Sequence, residues 1–463
     1  MAGLILAATV FGGVVVFKSV LLKRKQGDLG CFVRAGWAVR QGGGPLYEVM
    51  CDSHWHYNYP PLFAILMTPL ADPPHRDAAL TAATLVGLQA GPAAGPLLAA
   101  AAAPASPAPY YPSGPYYLPY PVSVVVFYLG SLALLCVAAH RLAGLLESLS
   151  PAAADPLRAW VRYWRWRLIP VLVCVPVVGL TLVRGQVQTL LLLLVVGVVF
   201  GAVRGRVALA GGCIGAAACL KLFPAFLFVL PLWRRDLRGL AAGALAMVVG
   251  LVVVPALVLG PGMTARVYTD FAKVLVLPGL GLGGSSSRAT ELTDAAATQS
   301  QAIQVILLKT VYLRASQLPP QPEAWMKAVH WAAGAAMTLT TLLFMTRRRD
   351  DGLSQVAGVG MLALVMVLMS PVCHLHYFTV GLPVVAAVLA RLDLDGRPWP
   401  KHVFTVLFAA MVAAWSVPMI PGLGVLRNVG VPLAGGLALW ASGLYARMPA
   451  RQAGAAAHPR AAA

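Results

Sequence analysis

The chain alternates long apolar stretches with short basic clusters. Residues 4–22, 122–146, 168–183, 187–203, 240–259, 325–345, 353–369, 378–390, 403–419 and 431–445 carry little charge. Several of them approach or exceed the roughly 20 residues a helix needs to cross a bilayer. Basic residues gather between them: Arg158 to Arg167, Arg204-Gly205-Arg206, Arg234 to Arg238, Arg347-Arg348-Arg349, the 391–401 loop and the tail after Arg447. Short loops rich in Lys and Arg stay on the cytoplasmic side, with tryptophans at the headgroup level, so these clusters fix the direction of each segment. The pattern predicts an all-α integral membrane protein, a polytopic helical bundle of about 11 to 13 membrane segments with extracytoplasmic loops. Residues 1–446 form its transmembrane domain, with a first outer loop at 23–59 and a long one at 260–323. Residues 447–463 form a disordered basic cytoplasmic tail. One cluster opposes the scheme: Lys23-Arg24-Lys25 falls outside.

Residues 207–232 fit no single crossing. They have basic clusters at both ends and span about 26 residues, too few for two full crossings at about 1.5 Å per residue. At their centre lies Lys221-Leu222-Phe223-Pro224. Proline removes a backbone hydrogen bond and favours a break. Two readings fit: two short helices meeting near Lys221 with the lysine turned into a cavity, or one helix with Lys221 buried against a carboxylate. Further upstream, 60–70 with 78–103 dips into the membrane and returns. The Ala/Pro-rich stretch at about 73–120 reads as spacer or insertion. No internal repeat is evident, which counts against an inverted-repeat transporter.

Composition sharpens the class. Apolar residues make up 59% of 463 and charged residues 11%, and 35 Lys+Arg against 16 Asp+Glu give a net charge of +19. In a soluble chain that excess would suggest nucleic acid. Between apolar runs it reads as topology signals facing anionic lipid, and no nucleic acid is expected. The seven cysteines form no C-x-x-C pair, so neither a zinc nor a redox motif is indicated. Cys31 and Cys51 share the first outer loop, where a bridge between them is one alternative. Residues 4–22 lack a small-residue cleavage site and read as a retained helix.

The threading brings four polar features to the outer leaflet: Asp28, Arg184-Gly185-Gln186, Lys221 and His374-Leu375-His376-Tyr377. Ionisable groups in or beside hydrocarbon cost several kcal/mol unless something uses them, so a shared depth suggests a shared site. Asp28 follows the first helix at the interface; an ordinary loop aspartate is the plain alternative. Gly185 permits a tight turn or a ligand's close approach, beside the charge of Arg184 and the amide of Gln186. Lys221 suits a point-charge partner for phosphate. His374 and His376 follow Ser370-Pro371, and with no third ligand in view they read as hydrogen-bonding or acid/base groups. Asp28 with Asp52 is the one pairing that suggests a divalent cation; no metal and no cofactor is expected.

These residues also carry a resemblance. Gly185-Gln186-Val187, followed by Lys221-Leu222-Phe223-Pro224, resembles the "GQxN … K-L-x-P" signature of the GT-C family 87 glycosyltransferases. Gly27-Asp28, Gly44-Pro45-Leu46-Tyr47, Tyr59-Pro60-Pro61-Leu62-Phe63 and Pro69-Leu70-Ala71 are similar to the family's N-terminal block. Ser370-Pro371 with His376-Tyr377 resembles its late block. The likeness runs from about Gly27 to Ala390. Gln188 stands at the family's usual asparagine, His374 at its tryptophan, and Pro73 to about Tyr117 is an insertion. The resemblance implies a GT-C-type bundle using a polyprenyl-phosphate-linked sugar, mannose above others. It implies Asp28 as general base, Lys221 as a contact to the lipid phosphate, and Gln186 and His376 as lining of the same cavity. Arg184, His374, Tyr377 and Tyr59 complete the expected substrate-binding set.

The expected function is therefore transfer of a sugar to an acceptor hydroxyl on the extracytoplasmic face of the cell membrane, with inversion. The partners are the lipid-linked donor, a glycan or lipid acceptor and the bilayer. A transporter or flippase of lipid-linked or anionic substrates, in which Lys221 and Arg184 bind but nothing reacts, is the alternative. A non-catalytic membrane assembly partner is a third reading.

Overall fold

The computed structural model describes residues 9–10, 12–15, 27–44, 46–50, 55–71, 120–151, 155–277, 299–315, 317–347, 351–395 and 398–447. Most of residues 4–22, the 73–120 insertion up to 119, Lys23-Arg24-Lys25 and the 448–463 tail lie outside them. Among the described residues the regular elements are helical, and the sole β contact is an isolated bridge between Met50 and His56. Among the described residues five helices are long and apolar enough to cross a membrane, six when one bent pair is taken as a single span. Five shorter apolar helices accompany them. The chain is an all-α polytopic membrane protein.

The helices, in order, are α1 (Gly27–Arg40), α2 (Pro61–Leu66), α3 (Tyr120–Ser148), α4 (Pro156–Val173), α5 (Val175–Arg184), α6 (Gln188–Val203) and α7 (Val207–Leu220). Next come α8 (Val229–Trp233), α9 (Leu237–Leu259), α10 (Pro261–Phe271), α11 (Ile303–Val311) and α12 (Ala324–Arg347). The last are α13 (Gly352–Leu368), α14 (Leu382–Asp395), α15 (Pro398–Ser416) and α16 (Val431–Gly443). α13 is the central staff. Every residue from Leu353 to Leu368 is buried, as suits a helix that is apolar all round. Glycines let its neighbours in: a Cβ on Gly358 would meet the Met345 side chain, and one on Gly360 would meet Val384. By contrast α9 is apolar yet mostly exposed, which is the face a lipid-contacting helix presents.

Close crossings hold the bundle where side chains are smallest. α7 and α9 meet through Gly211 and Gly215 against Gly239 and Gly243; a Cβ on Gly211 would lie 1.8 Å from the Gly239 carbonyl oxygen. Small residues four apart allow this approach without a hydrophobic drive between helices. α4 and α5 form the bent pair, turning 68° between Val173 and Val175, with Pro170 and Pro176 flanking the break. Proline lacks the donor that would continue the ladder.

One end of the bundle is tied by charge. Arg167 reaches both oxygens of Glu147 at 2.6 and 3.1 Å, and Arg165 reaches Asp393 at 2.8 Å. Arg391 pairs with Asp351, and Arg234 with Gln355. α6 runs from the other end to Arg204 over about 24 Å, at about 1.5 Å per residue.

Four expectations need correcting. Residues 28–59 are not simply a loop: α1 carries Asp28 in its first turn, where a carboxylate favours the helix dipole. The basic stretch Arg158 to Arg167 is helical, and Trp166 is packed into the protein there, 2% exposed, donating to Asp393 at 2.7 Å. The long 260–323 segment contains α10, which continues through a π-helical turn to Val276, and α11; its Gly/Ser-rich centre lies outside the described residues. Residues 61–70 form one short helix and a 3-10 turn, too short to cross.

Candidate active site

The break at Lys221 sets the site. α7 ends at Leu220, and Lys221 adopts extended backbone (φ −144°, ψ 145°) before a 3-10 helix, Phe223–Phe228, carries the chain on to α8. The two-helix reading of 207–232 holds. The lysine is 5% exposed, and its Nζ lies 4.3 Å from the Tyr377 ring centroid, 4.8 Å from Tyr59 and 5.7 Å from Phe223. Aromatic faces attract a cation but leave its donors unfilled. The break excludes the single helix, and among the described residues Lys221 makes no ion pair within 4.0 Å, although the Asp28 charge acts on it from further away. Among the described residues its one side-chain hydrogen bond is long, 3.5 Å to Gln186 Oε1.

Gln186 owes its position to Gly185. α5 ends at Arg184, and Gly185 takes the left-handed conformation (φ 66°, ψ 44°). Gln186 N then donates to Thr181 O at 2.9 Å and Gly185 N to Leu182 O at 3.3 Å, the pairing that closes a glycine-terminated helix. The turn directs the Gln186 amide back to the site, where Oε1 also accepts from the Tyr59 hydroxyl at 3.0 Å. Tyr59 is held in turn by the first outer segment: Tyr47 donates to Tyr59 O at 3.1 Å and Tyr57 to Pro60 O at 2.9 Å. Burial pushes the Tyr47 and Tyr57 phenols up, so both remain protonated donors at neutral pH.

The histidines arrive from the far end of α13. After Ser370-Pro371 the chain enters a 3-10 helix, Leu375–Gly381, which packs on α5. Thr181 Oγ1 lies 3.1 Å from Thr379 Oγ1 and 3.4 Å from His376 O. His374 and His376 stack at 5.5 Å, and Tyr377 meets His376 edge-on at 4.7 Å. Tyr377 stacks on Phe223 at 5.2 Å, joining this segment to the Lys221 break.

Asp28 is half-buried at the start of α1, close enough for its charge to act on Lys221, Tyr59 and Tyr377. Arg184 acts likewise on His374, His376 and Tyr377. All eight residues singled out from the sequence thus converge in one region. Two features of it were missed. Lys309 on α11 is buried, and its charge reaches His374. Residues 299–302 clasp the turn before the histidines: Cys373 N donates to Ser300 Oγ at 2.9 Å and Gln301 N to Cys373 O at 2.6 Å. Lys309 carried a weak signal, a lysine in an apolar nonapeptide. The clasp carried none, since its bonds are to backbone.

Among the described residues no group of three His, Cys, Asp or Glu is placed to hold a metal ion. Asp52 and Cys51, considered for a cation and for a bridge, lie outside them; the Cys31 thiol donates to Trp55 O at 3.7 Å. What remains is an arrangement suited to anions: the buried Lys221 amine among aromatic rings, the half-buried Arg184 guanidinium and neutral polar groups in the same region, and the half-buried Asp28 carboxylate.

Comparison with curated proteins and with solved structures finds no match. A family model does match, over residues 57–371. That span contains Tyr59, Arg184, Gln186 and Lys221, while Asp28 and His374 to Tyr377 fall outside it and join the site through the fold alone. With more than half of its 463 residues matched, the chain belongs to glycosyltransferase family 87, as a multi-pass membrane glycosyltransferase.

Proposed function

We propose that this glycosyltransferase moves a sugar, mannose first among the candidates, from a polyprenyl-phosphate-linked donor to an acceptor hydroxyl on the extracytoplasmic side of the cell membrane. The observation that carries the reading is Lys221. A buried ammonium without an ion pair among the described residues is costly, and a phosphate anion at the same depth offsets that cost. Depth points to a lipid-linked phosphate. From the basic start of α7, Lys221 lies about 21 Å along a helix rising about 1.5 Å per residue, inside a hydrocarbon layer of about 30 Å.

The chemistry follows from the charges. Asp28 accepts the proton of the acceptor hydroxyl as that oxygen attacks the anomeric carbon. The bond from anomeric carbon to phosphate oxygen breaks, and the polyprenyl phosphate leaves with the electron pair. Lys221 and Arg184 stabilise the charge developing on the departing phosphate. A single displacement inverts the anomeric configuration. Placement of the site at the end opposite the Arg165–Asp393 and Arg391–Asp351 pairs supports the extracytoplasmic assignment, because basic clusters stay inside.

The reading is tested with purified protein in nanodiscs, given polyprenyl-phosphate-[3H]mannose and, in parallel, the glucosyl and arabinosyl lipids. A labelled glycoside of inverted configuration is expected. Failure of all three donors to yield a glycoside, in the presence of a total lipid and glycan extract, would refute it.

A further inference from the structure

Two side chains around the site have polar atoms that are buried and unused. His376 is 1% exposed and Gln188 0%. Neither imidazole nitrogen of His376 and neither amide atom of Gln188 has a hydrogen-bond partner among the described residues. Other buried two-headed groups are bonded at one atom: Gln301 through Nε2 and His330 through Nε2. Native proteins leave few buried polar atoms unpaired, and each one asks for a cause. Four on two side chains mark a place that a ligand or ordered solvent completes.

One scaffold holds both residues. Gln188 opens α6, two residues after the Gln186 that faces Lys221, and α6 packs against the 3-10 helix bearing His376. Thr181 closes the connection, accepting from Gln186 N and bonding to Thr379 and His376 O.

The type of group they want is selective. An amide presents two donors and an acceptor, and an uncharged imidazole presents one of each. Phosphate only accepts, so it would set the Gln188 carbonyl oxygen against an anion. A hydroxyl donates and accepts, and vicinal hydroxyls match two such side chains. We infer that Gln188 and His376 form a neutral polar subsite for hexopyranose hydroxyls, beside the phosphate position at Lys221, and that Gln188 contributes to the choice of sugar. The inference rests on the transfer reading above; the hydroxyls belong either to the donor sugar or to a sugar acceptor.

Gln188→Leu removes the amide at similar volume. Because the amide bonds nothing among the described residues, the thermal unfolding midpoint should stay or rise. The decisive quantity is binding in nanodiscs of polyprenyl-phosphate-mannose relative to polyprenyl phosphate without sugar. Wild type is expected to prefer the sugar-bearing lipid, and Gln188→Leu to lose roughly fivefold or more of that preference while holding the bare lipid phosphate as before. Gln188→Asn, with a shorter amide, should fall between them. An unchanged donor preference with a raised KM for methyl α-mannoside as acceptor would place the hydroxyls on the acceptor. If neither quantity moves, or if the midpoint drops and both lipids weaken together, the subsite is refuted and Gln188 serves the fold. A wild type that transfers no sugar would sink the transfer reading instead, and the binding comparison would still decide the subsite.

Discussion

Lys221, Gly185 and Asp28 show how single residues create this site. Lys221→Glu puts a second negative charge where an anion should bind, and Lys221→Met removes the charge at similar length. A charge-assisted contact contributes about 1.5–3 kcal/mol, so donor affinity should fall on the order of 10- to 100-fold in Lys221→Met and further in Lys221→Glu. Equilibrium binding of labelled donor lipid checks this; undiminished affinity in both would remove Lys221 from the phosphate. Gly185→Ala tests the turn. At φ 66° a Cβ is strained by about 1 kcal/mol, and the Gln186 amide should lose its alignment with Tyr59 and Lys221. A lowered transfer rate with little change in unfolding midpoint is expected. These residues were legible in the sequence because charge and glycine are conspicuous in apolar chain. The Trp166 position was not, since a tryptophan beside four arginines looks interfacial until Asp393 is brought to it by the fold.

At the scale of elements, breaks and close crossings matter more than long spans. The helix break at Lys221 was foreseeable from Pro224 and from a run too short for two crossings. α1 was not, because a segment with three glycines, directly after a basic cluster, reads as interfacial loop. Its apolar residues are buried on several sides, and packing overrode weak propensity. The α7–α9 crossing gives a direct test. Gly211→Val would drive a side chain into the Gly239 carbonyl, whereas a Cβ on Gly212 meets nothing within 4 Å. Overpacking costs about 1–3 kcal/mol or more, so Gly211→Val should lower the unfolding midpoint in detergent by several degrees and Gly212→Ala should leave it unchanged. Equal midpoints would contradict the crossing. Ser300→Ala tests the clasp on the histidine turn: it strips acceptors from Cys373 N and Ala302 N. A slower transfer with donor affinity retained is expected; loss of donor affinity instead would make the clasp part of the phosphate site.

For the whole molecule the question is which way it faces. The ion-paired end and the candidate site lie at opposite ends of α6 and α13, as the threading by basic clusters required. In intact cells, a membrane-impermeant thiol reagent should label Leu423→Cys, in the turn between α15 and α16 at the site end. It should label Arg206→Cys, exposed at the other end, only after the membrane is permeabilised. The reverse pattern would put the site on the cytoplasmic side and end the extracytoplasmic assignment. The convergence of distant polar residues was readable because hydrocarbon makes each of them expensive. The identity of the acceptor was not, because nothing in a bundle's hydropathy encodes what docks at its open end.

The most direct test joins the reaction to its proposed base. Wild type and Asp28→Asn, reconstituted in nanodiscs at equal amounts, are given radiolabelled polyprenyl-phosphate-mannose with a total lipid and glycan extract, and both transfer and donor binding are measured. Asparagine keeps the shape but has too little basicity to take the hydroxyl proton, so transfer should drop by at least about 100-fold while donor binding persists. Transfer by Asp28→Asn at the wild-type rate would contradict the mechanism at its centre.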